Sequence, residues 1–254
     1  MLCRDEKKIK KFEWHKDVNF KKLDLNKKKI NFIPKKNSGL VHLAWQNLPN
    51  YEAFFHLERN LISNFNFLKH LIDKGIEQVL VSGTCFEYGI RNGAISSNCQ
   101  TNPITPYALS KDTLRKMLLL KKQETPFRLK WARLFYMYGD FQNTKSFLPQ
   151  LELAIKKKEK VFKMSKGDQM RDYLPVETVA KRIFKLYQSK KNGTFNISSG
   201  KPISLKQLAE KKIKEFNSEI KLELGYYPYS NKEPKSFGVW RIRKTCQIKS
   251  SICF

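Results

Sequence analysis

Tyr107 and Lys111 stand four residues apart in TPYALSK (105–111), and Thr84 ends the apolar run VLVSGT (79–84). On a helix, residues four apart share a face. A free phenol titrates near ~10 and is a poor proton donor or acceptor at neutral pH. An ammonium beside it favours the phenolate and lowers that value. A hydroxyl such as that of Thr84 can hydrogen-bond the reacting oxygen next to the phenol. Together the three could move a proton on or off a sugar hydroxyl or ketone while a hydride leaves or arrives. The spacing alone is a weak signal in a Lys-rich chain. Tyr187 and Lys191 repeat it near the Lys-rich end of another predicted helix. No strand-end hydroxyl precedes that second pair, which predicts a solvated helix end. The competing reading of the first pair is an exposed helical Tyr beside a surface Lys.

The three residues need a strand that delivers Thr84 and a helix that starts just before Tyr107. VLVSGT supplies the strand (78–84), and Pro106 suits the first turn of a helix over 106–122. Upstream, Phe54, Leu57, Leu61, Phe65, Leu68 and Leu71 recur at helical spacing and predict a long amphipathic helix over 50–74, with Gly75 as its C-cap. Downstream, the pattern predicts strand 127–135, helix 144–159, short strand 161–164, helix 176–190, strand 193–199, helix 204–218 with Ser204 as N-cap, and strand 220–226. Strands alternating with helices indicate an α/β fold with a mostly parallel sheet.

At 254 residues and 41% hydrophobic content the chain can bury a sizeable core. No apolar run approaches the ~18 residues of a membrane span, and the charged start lacks a signal core. Cys3, Cys85, Cys99, Cys246 and Cys253 show no metal-ligand spacing, so no metal site is expected, and they read as free thiols of a cytoplasmic protein. The net charge of +27 raises nucleic acid as a partner. The basic residues, however, are spread over nearly every predicted element rather than gathered into a stripe with aromatics, which disfavours that reading. The charge also suits attraction of a doubly anionic sugar diphosphate.

The segments VHLAW (41–45), VLVSGTCFEYG (79–89), NPITPYALSK (102–111), RLFYMYG (133–139), RDYLPVETVA (171–180) and FNISSGKPIS (195–204) occur in that order. Their order and spacing resemble the extended short-chain dehydrogenase/reductase family, the NAD(P)-dependent nucleotide-sugar epimerases, dehydratases and reductases. The resemblance covers roughly residues 1–235. It implies a Rossmann-like doubly wound parallel sheet with a smaller C-terminal substrate lobe, in a cytoplasmic enzyme of surface polysaccharide biosynthesis. The implied division is a dinucleotide-binding domain over 1–140, a mainly substrate-binding lobe over 141–237 with interleaved segments, and an atypical tail over 238–254. A homodimer through helices like 50–74 and 106–122 follows by analogy.

Two features depart from the family. Its fold opens with a strand, a glycine-rich turn and a helix whose N-terminus holds the cofactor pyrophosphate. The first glycine here is Gly39, and no G-x-G-x-x-G occurs. MLCRDEKK resembles the end of the second strand instead, so an N-terminally truncated domain is expected. The tail GVWRIRKTCQIKSSICF (238–254) lacks acidic residues and periodicity, as a frameshifted reading would. A catalytically inactive remnant is therefore one reading of these 254 residues.

The resemblance implies Tyr107 as general acid/base, Lys111 as its electrostatic partner and ribose ligand, and Thr84 as the hydroxyl orienting the substrate oxygen. It implies cofactor contacts from Arg4, Asp24, Leu25, Leu43, Ala44 and Trp45. Arg4 mildly favours NADP over NAD through a 2′-phosphate. Asp24 reads equally as a turn residue, and the 42–45 segment as a packed strand end. Arg171 is implied to hold the nucleotide ribose or diphosphate, and Asp172 to buttress its loop. Tyr136 replaces an Asn that binds substrate in many relatives. Family dehydratases carry acids just after the active-site Thr, where this chain has Cys85 and Phe86, with Glu87 one residue too far along. Reduction of a 4-keto-6-deoxy sugar nucleotide is the preferred reaction, and C4 epimerisation the alternative.

Overall fold

The computed structural model describes residues 1–229 except 6, 8, 11, 27–31 and 36, together with the backbone of 236–238. Leu2–Cys3 (β1) and Lys21–Lys22 (β2) pair in parallel as a separate ribbon. The main sheet is built from Gly39–His42 (β3), Gln78–Thr84 (β4), Arg128–Leu134 (β5) and Gly193–Ile197 (β6). All four are parallel, in the order β6-β5-β4-β3. Helices Ile62–Asp73 (α1), Pro106–Glu124 (α2), Phe147–Lys156 (α3), Val176–Gln188 (α4) and Leu205–Glu215 (α5) accompany the strands.

β4 is buried along its whole length, as a parallel strand covered on both faces must be. Its side chains alternate. Val79 and Val81 join Phe67, Leu71, Leu114 and Leu118 of α1 and α2 in one core. Leu80 joins Val179, Ile183 and Leu186 of α4 on the opposite face. The sheet is thus doubly wound, as the family resemblance implies. Leu2, Leu23 and Leu25, from and after the β1–β2 ribbon, pack at the margin of the first core. No ladder among the described residues joins that ribbon to β3. A smaller core of Leu151, Ile155, Met164, Ala209 and Ile220 lies under α3 and α5. There Val161–Met164 pairs in parallel with Lys221–Leu224. α4 and β6 return to the main sheet.

Three expectations change. The helix predicted from residue 50 begins later, with a π-helical turn at His56–Leu61 leading into α1. The Tyr51 carbonyl instead accepts the Tyr107 amide at 3.1 Å, so the 50–55 backbone serves the start of α2. Phe54, expected in the core, is 67% exposed. Next, α4 stops at Gln188, so Lys191 lies beyond it. The second Tyr-x-x-x-Lys does not share a helix face, and Tyr187 packs against the α4-side core rather than into solvent. The short parallel pair Tyr136–Tyr138 with Tyr173–Pro175 carries no periodicity long enough to foresee. Beyond Gly238 the expected irregular tail, with Cys246 and Cys253, lies outside the described residues.

Candidate active site

Thr84 occupies the C-terminal end of β4, and Tyr107 the first turn of α2, whose N-cap Thr105 accepts the Ala108 amide at 3.2 Å. Both residues open onto a cleft of about 740 Å³, as do Lys111, Leu43, Trp45 and Tyr136. The cleft lies at the carboxyl ends of the strands, the usual ligand position in a doubly wound sheet. Thr84, Tyr107 and Lys111 are 6%, 8% and 2% exposed. These are the walls of a desolvated site, which excludes the reading of Tyr107 and Lys111 as an ordinary surface pair.

Burial dominates the electrostatics. It pushes the Tyr107 phenol above its usual value, with a hydrogen bond to the Thr84 side chain pulling the other way. The shift runs upward, opposite to the lowering expected from Lys111, because desolvation is its largest cause. Burial likewise brings Lys111 down to about 7, opposed by the Glu87 carboxylate. Its Nζ donates to the Ser82 carbonyl at 2.7 Å and lies 4.0 Å from the centre of the Trp45 ring.

Thr84 is held from behind. Glu87 Oε1 accepts its amide at 2.8 Å, while Thr84 Oγ1 accepts the Phe86 amide at 3.3 Å, a reciprocal capping box. The fully buried Glu87 also accepts from Arg133 Nε at 2.7 Å and Trp131 Nε1 at 2.9 Å. This network was not foreseen, although T-x-x-E in TCFE is a sequence signal for it. Gly83 makes it possible. A methyl group there would sit about 2.1 Å from Trp131 Nε1 and 2.5 Å from Glu87 Oε1.

The remaining candidates separate into groups. Leu43, 54% exposed, and Trp45 line the cleft. Ala44 is exposed and does not line it. His42 is a packed strand end: its Nε2 meets Asn64 Oδ1 at 2.6 Å, and burial lowers its pKa to about 4. Arg4 is exposed and donates to Gln46 Oε1 at 3.2 Å, the oxygen that Asn26 Nδ2 meets at 3.3 Å. Arg4 and the 24–26 turn therefore sit beside the 42–46 loop. Asp24 accepts the Asn26 amide at 3.0 Å, a turn role. Leu25 packs against the core. Arg171 is 2% exposed, with its guanidinium 5.5 Å from the Tyr136 ring centre. Tyr136 therefore faces the cleft and Arg171 lies behind it. Asp172 accepts the Ser199 and Gly200 amides, the buttress expected of it.

Sequence reasoning also missed an aromatic surround. The rings of Tyr51, His56 and Phe86 lie 5.2, 5.4 and 6.5 Å from that of Tyr107. They come from two segments far apart in the chain, 51–56 and the turn after β4, and carry no shared pattern that a sequence could display.

Comparison with known proteins agrees with this architecture. The solved UDP-N-acetylglucosamine 4-epimerase from Methanobrevibacter ruminantium M1 superposes with a TM-score of 0.76 at 20% identity, over 89% of this chain and 74% of that one. The NADPH-bound RMD from Pseudomonas aeruginosa superposes at 0.70 and 20% identity, over 86% and 81%. In sequence, the chain is 32% identical over 202 residues to the dTDP-6-deoxy-L-talose 4-dehydrogenase (NAD(+)) of Aggregatibacter actinomycetemcomitans, covering 79% of this chain and 74% of the relative. It is 28% identical to the GDP-6-deoxy-D-talose 4-dehydrogenase of the same organism, of which it spans 61%. The family model for NAD dependent epimerases and dehydratases matches residues 4–198. By the family model and the 32% relative, on a doubly wound sheet, the chain belongs to the NAD dependent epimerase/dehydratase family.

Proposed function

We propose that this protein reduces the 4-keto group of a nucleotide-activated 6-deoxy sugar with a nicotinamide cofactor. The observation that carries the reading is that buried Thr84, Tyr107 and Lys111 meet on the wall of one cleft at the carboxyl ends of the strands. The names of the two sequence relatives support it, since a 4-dehydrogenase run in reverse is a 4-keto reductase.

The residues present suit the ribose and nicotinamide end of the cofactor. Lys111 has N–H donors beyond its bond to the Ser82 carbonyl, and Leu43 and Trp45 offer an apolar wall. The pyrophosphate end has no matching glycine turn in this sequence. When bound, the cofactor supplies the hydride to C4. Tyr107 donates its proton to the oxygen that becomes the hydroxyl. Thr84 hydrogen-bonds the same oxygen, and the Lys111 ammonium stabilises the phenolate left behind. Elimination of water would need a separate acid and base. Cys85 and Phe86 supply neither: burial pushes the Cys85 thiol far up, and Glu87 is committed behind the strand.

Arg4 favours NADP over NAD, and Arg171 supports the substrate wall through Tyr136. Two copies of the chain would meet through α1 and α2, which expose Ile62, Leu109, Leu119 and Leu120. Incubation with NADPH or NADH and a 4-keto-6-deoxy sugar nucleotide tests the reaction. Oxidation of the reduced nicotinamide is expected, faster with NADPH. C4 inversion of a sugar nucleotide without net cofactor consumption would overturn the reading in favour of the epimerase.

A further inference from the structure

Trp45 stands in the loop after β3, against Tyr107 and Lys111 of α2. Its indole N–H donates to His56 Nδ1 at 3.0 Å, and Asn60 Nδ2 reaches the same nitrogen at 2.9 Å. Two donors on one ring nitrogen require it to be unprotonated, so the ring hydrogen is on Nε2. That nitrogen donates to the Asn50 carbonyl at 2.8 Å. His56 and Asn60 are both fully buried and both belong to the π-helical turn His56–Leu61. Such turns recur at functional sites. The arrangement fixes the plane of the indole. One face of it lies under the Lys111 ammonium, 4.0 Å from ring centre to Nζ. The Tyr107 phenol stands edge-on to the same ring, with centroids 6.0 Å apart at 74°.

We propose that Trp45 is a positioning residue for the catalytic pair, a clamped indole face that keeps Lys111 charged and aimed beside Tyr107, with His56 and Asn60 setting its plane. This rests on the reading of Tyr107 as the acid. An indole quadrupole attracts a cation most strongly where water is excluded, as it is at Lys111. The attraction therefore works against the burial that pulls Lys111 down to about 7. The other groups around Lys111 are accounted for. Tyr107 faces it from α2, the Ser82 carbonyl and Thr84 from β4, and Glu87 from the turn after β4. His42 of β3 and His56 of the π turn are both lowered by burial and neutral at pH 7. Glu87 is held by Arg133 and Trp131 rather than by Trp45.

The test is competitive acetylation of the full-length chain with acetic anhydride across pH, without cofactor, reading the Lys111 peptide by mass spectrometry. Trp45→Leu is expected to lower the apparent labelling pKa of Lys111 by about one unit. Trp45→Phe, which keeps a ring face, should retain most of the wild-type value. The alkaline limb of kcat/KM for keto-sugar reduction should move to lower pH by the same amount. His56→Leu, which frees the indole without removing it, should give a smaller shift in the same direction. It serves as the probe should Trp45→Leu not fold. An unmoved Lys111 titration in either folded variant, or a Trp45→Phe chain that behaves like Trp45→Leu, would overturn the proposal. A shifted titration without keto-sugar turnover would uphold the positioning role and remove the proposed reaction. Turnover with an unmoved titration would do the reverse.

Discussion

Tyr107/Lys111 and Tyr187/Lys191 share one sequence spacing and end in different environments. The first pair begins a helix. Both members lie on continuous α2 backbone, both are nearly fully buried, and both open on one cleft beside Thr84. The second pair straddles a helix end. Tyr187 is in α4, Lys191 is beyond it, and Tyr187 contributes its carbonyl to the Lys130 ammonium at 2.6 Å and to Gln78 Nε2 at 2.7 Å. The same spacing therefore brings Tyr and Lys together on one cleft only where the helix runs through both residues. At a helix end the two part, and Tyr187 packs against the core.

The largest expected contrast is in turnover. Tyr107→Phe should lower keto-sugar reduction by about 10²–10⁴-fold, and Tyr187→Phe by less than about twofold, in matched steady-state assays. Equal losses would erase the distinction between the two regions.

Replacing Lys111 by Met should also lower turnover strongly, and it carries a pH signature. Its folded pKa of about 7 lies below the unfolded value near 10.5. Between those values the unfolded chain binds more protons, so stability rises with pH there. The destabilisation from burying Lys111 is full below pH 7 and fades as pH approaches 10.5. The gain in melting temperature of Lys111→Met over wild type should therefore be largest below pH 7 and shrink through that window. Thermal melts across pH check this, and a gain that grows with pH would contradict the burial of the charge.

The glycines beside each pair sharpen the contrast further. Gly83→Ala drives a methyl into Trp131 and Glu87, which hold Thr84. It should destabilise by about 1–3 kcal/mol and lower turnover with it. Gly39→Ala meets the Tyr187 hydroxyl at 2.3 Å, the far end of a side chain that can swing. Its destabilisation should be smaller and activity should persist. Denaturant titrations paired with assays separate the two. Lys191→Ala should be the mildest of all, within about 0.5 kcal/mol.

Much of the fold was legible in advance because its signals are local. The buried run 79–84, the Pro106 start of α2 and the Ser204 cap of α5 each appear in the structure as the sequence predicts. Periodicity over-extended the helix from residue 50, because the competing partner of Tyr51 is Tyr107, far away in sequence. Of the candidate site residues, the cleft gathers Leu43, Trp45, Thr84, Tyr107, Lys111 and Tyr136. It leaves Arg4, Asp24 and Leu25 beside it, and Arg171 behind Tyr136.

By itself, then, the sequence determined the alternation of strands and helices, the Thr84, Tyr107 and Lys111 candidates and the absence of acids directly after Thr84. These rest on covalent order and on preferences that act over a few residues. Tertiary structure alone decided the upward shift of the Tyr107 phenol, the downward shift of Lys111, the Glu87–Arg133–Trp131 support and the clamp on Trp45. Each depends on desolvation or on contacts between segments far apart in the chain, and desolvation exists only once the sheet and its helices have closed over the site.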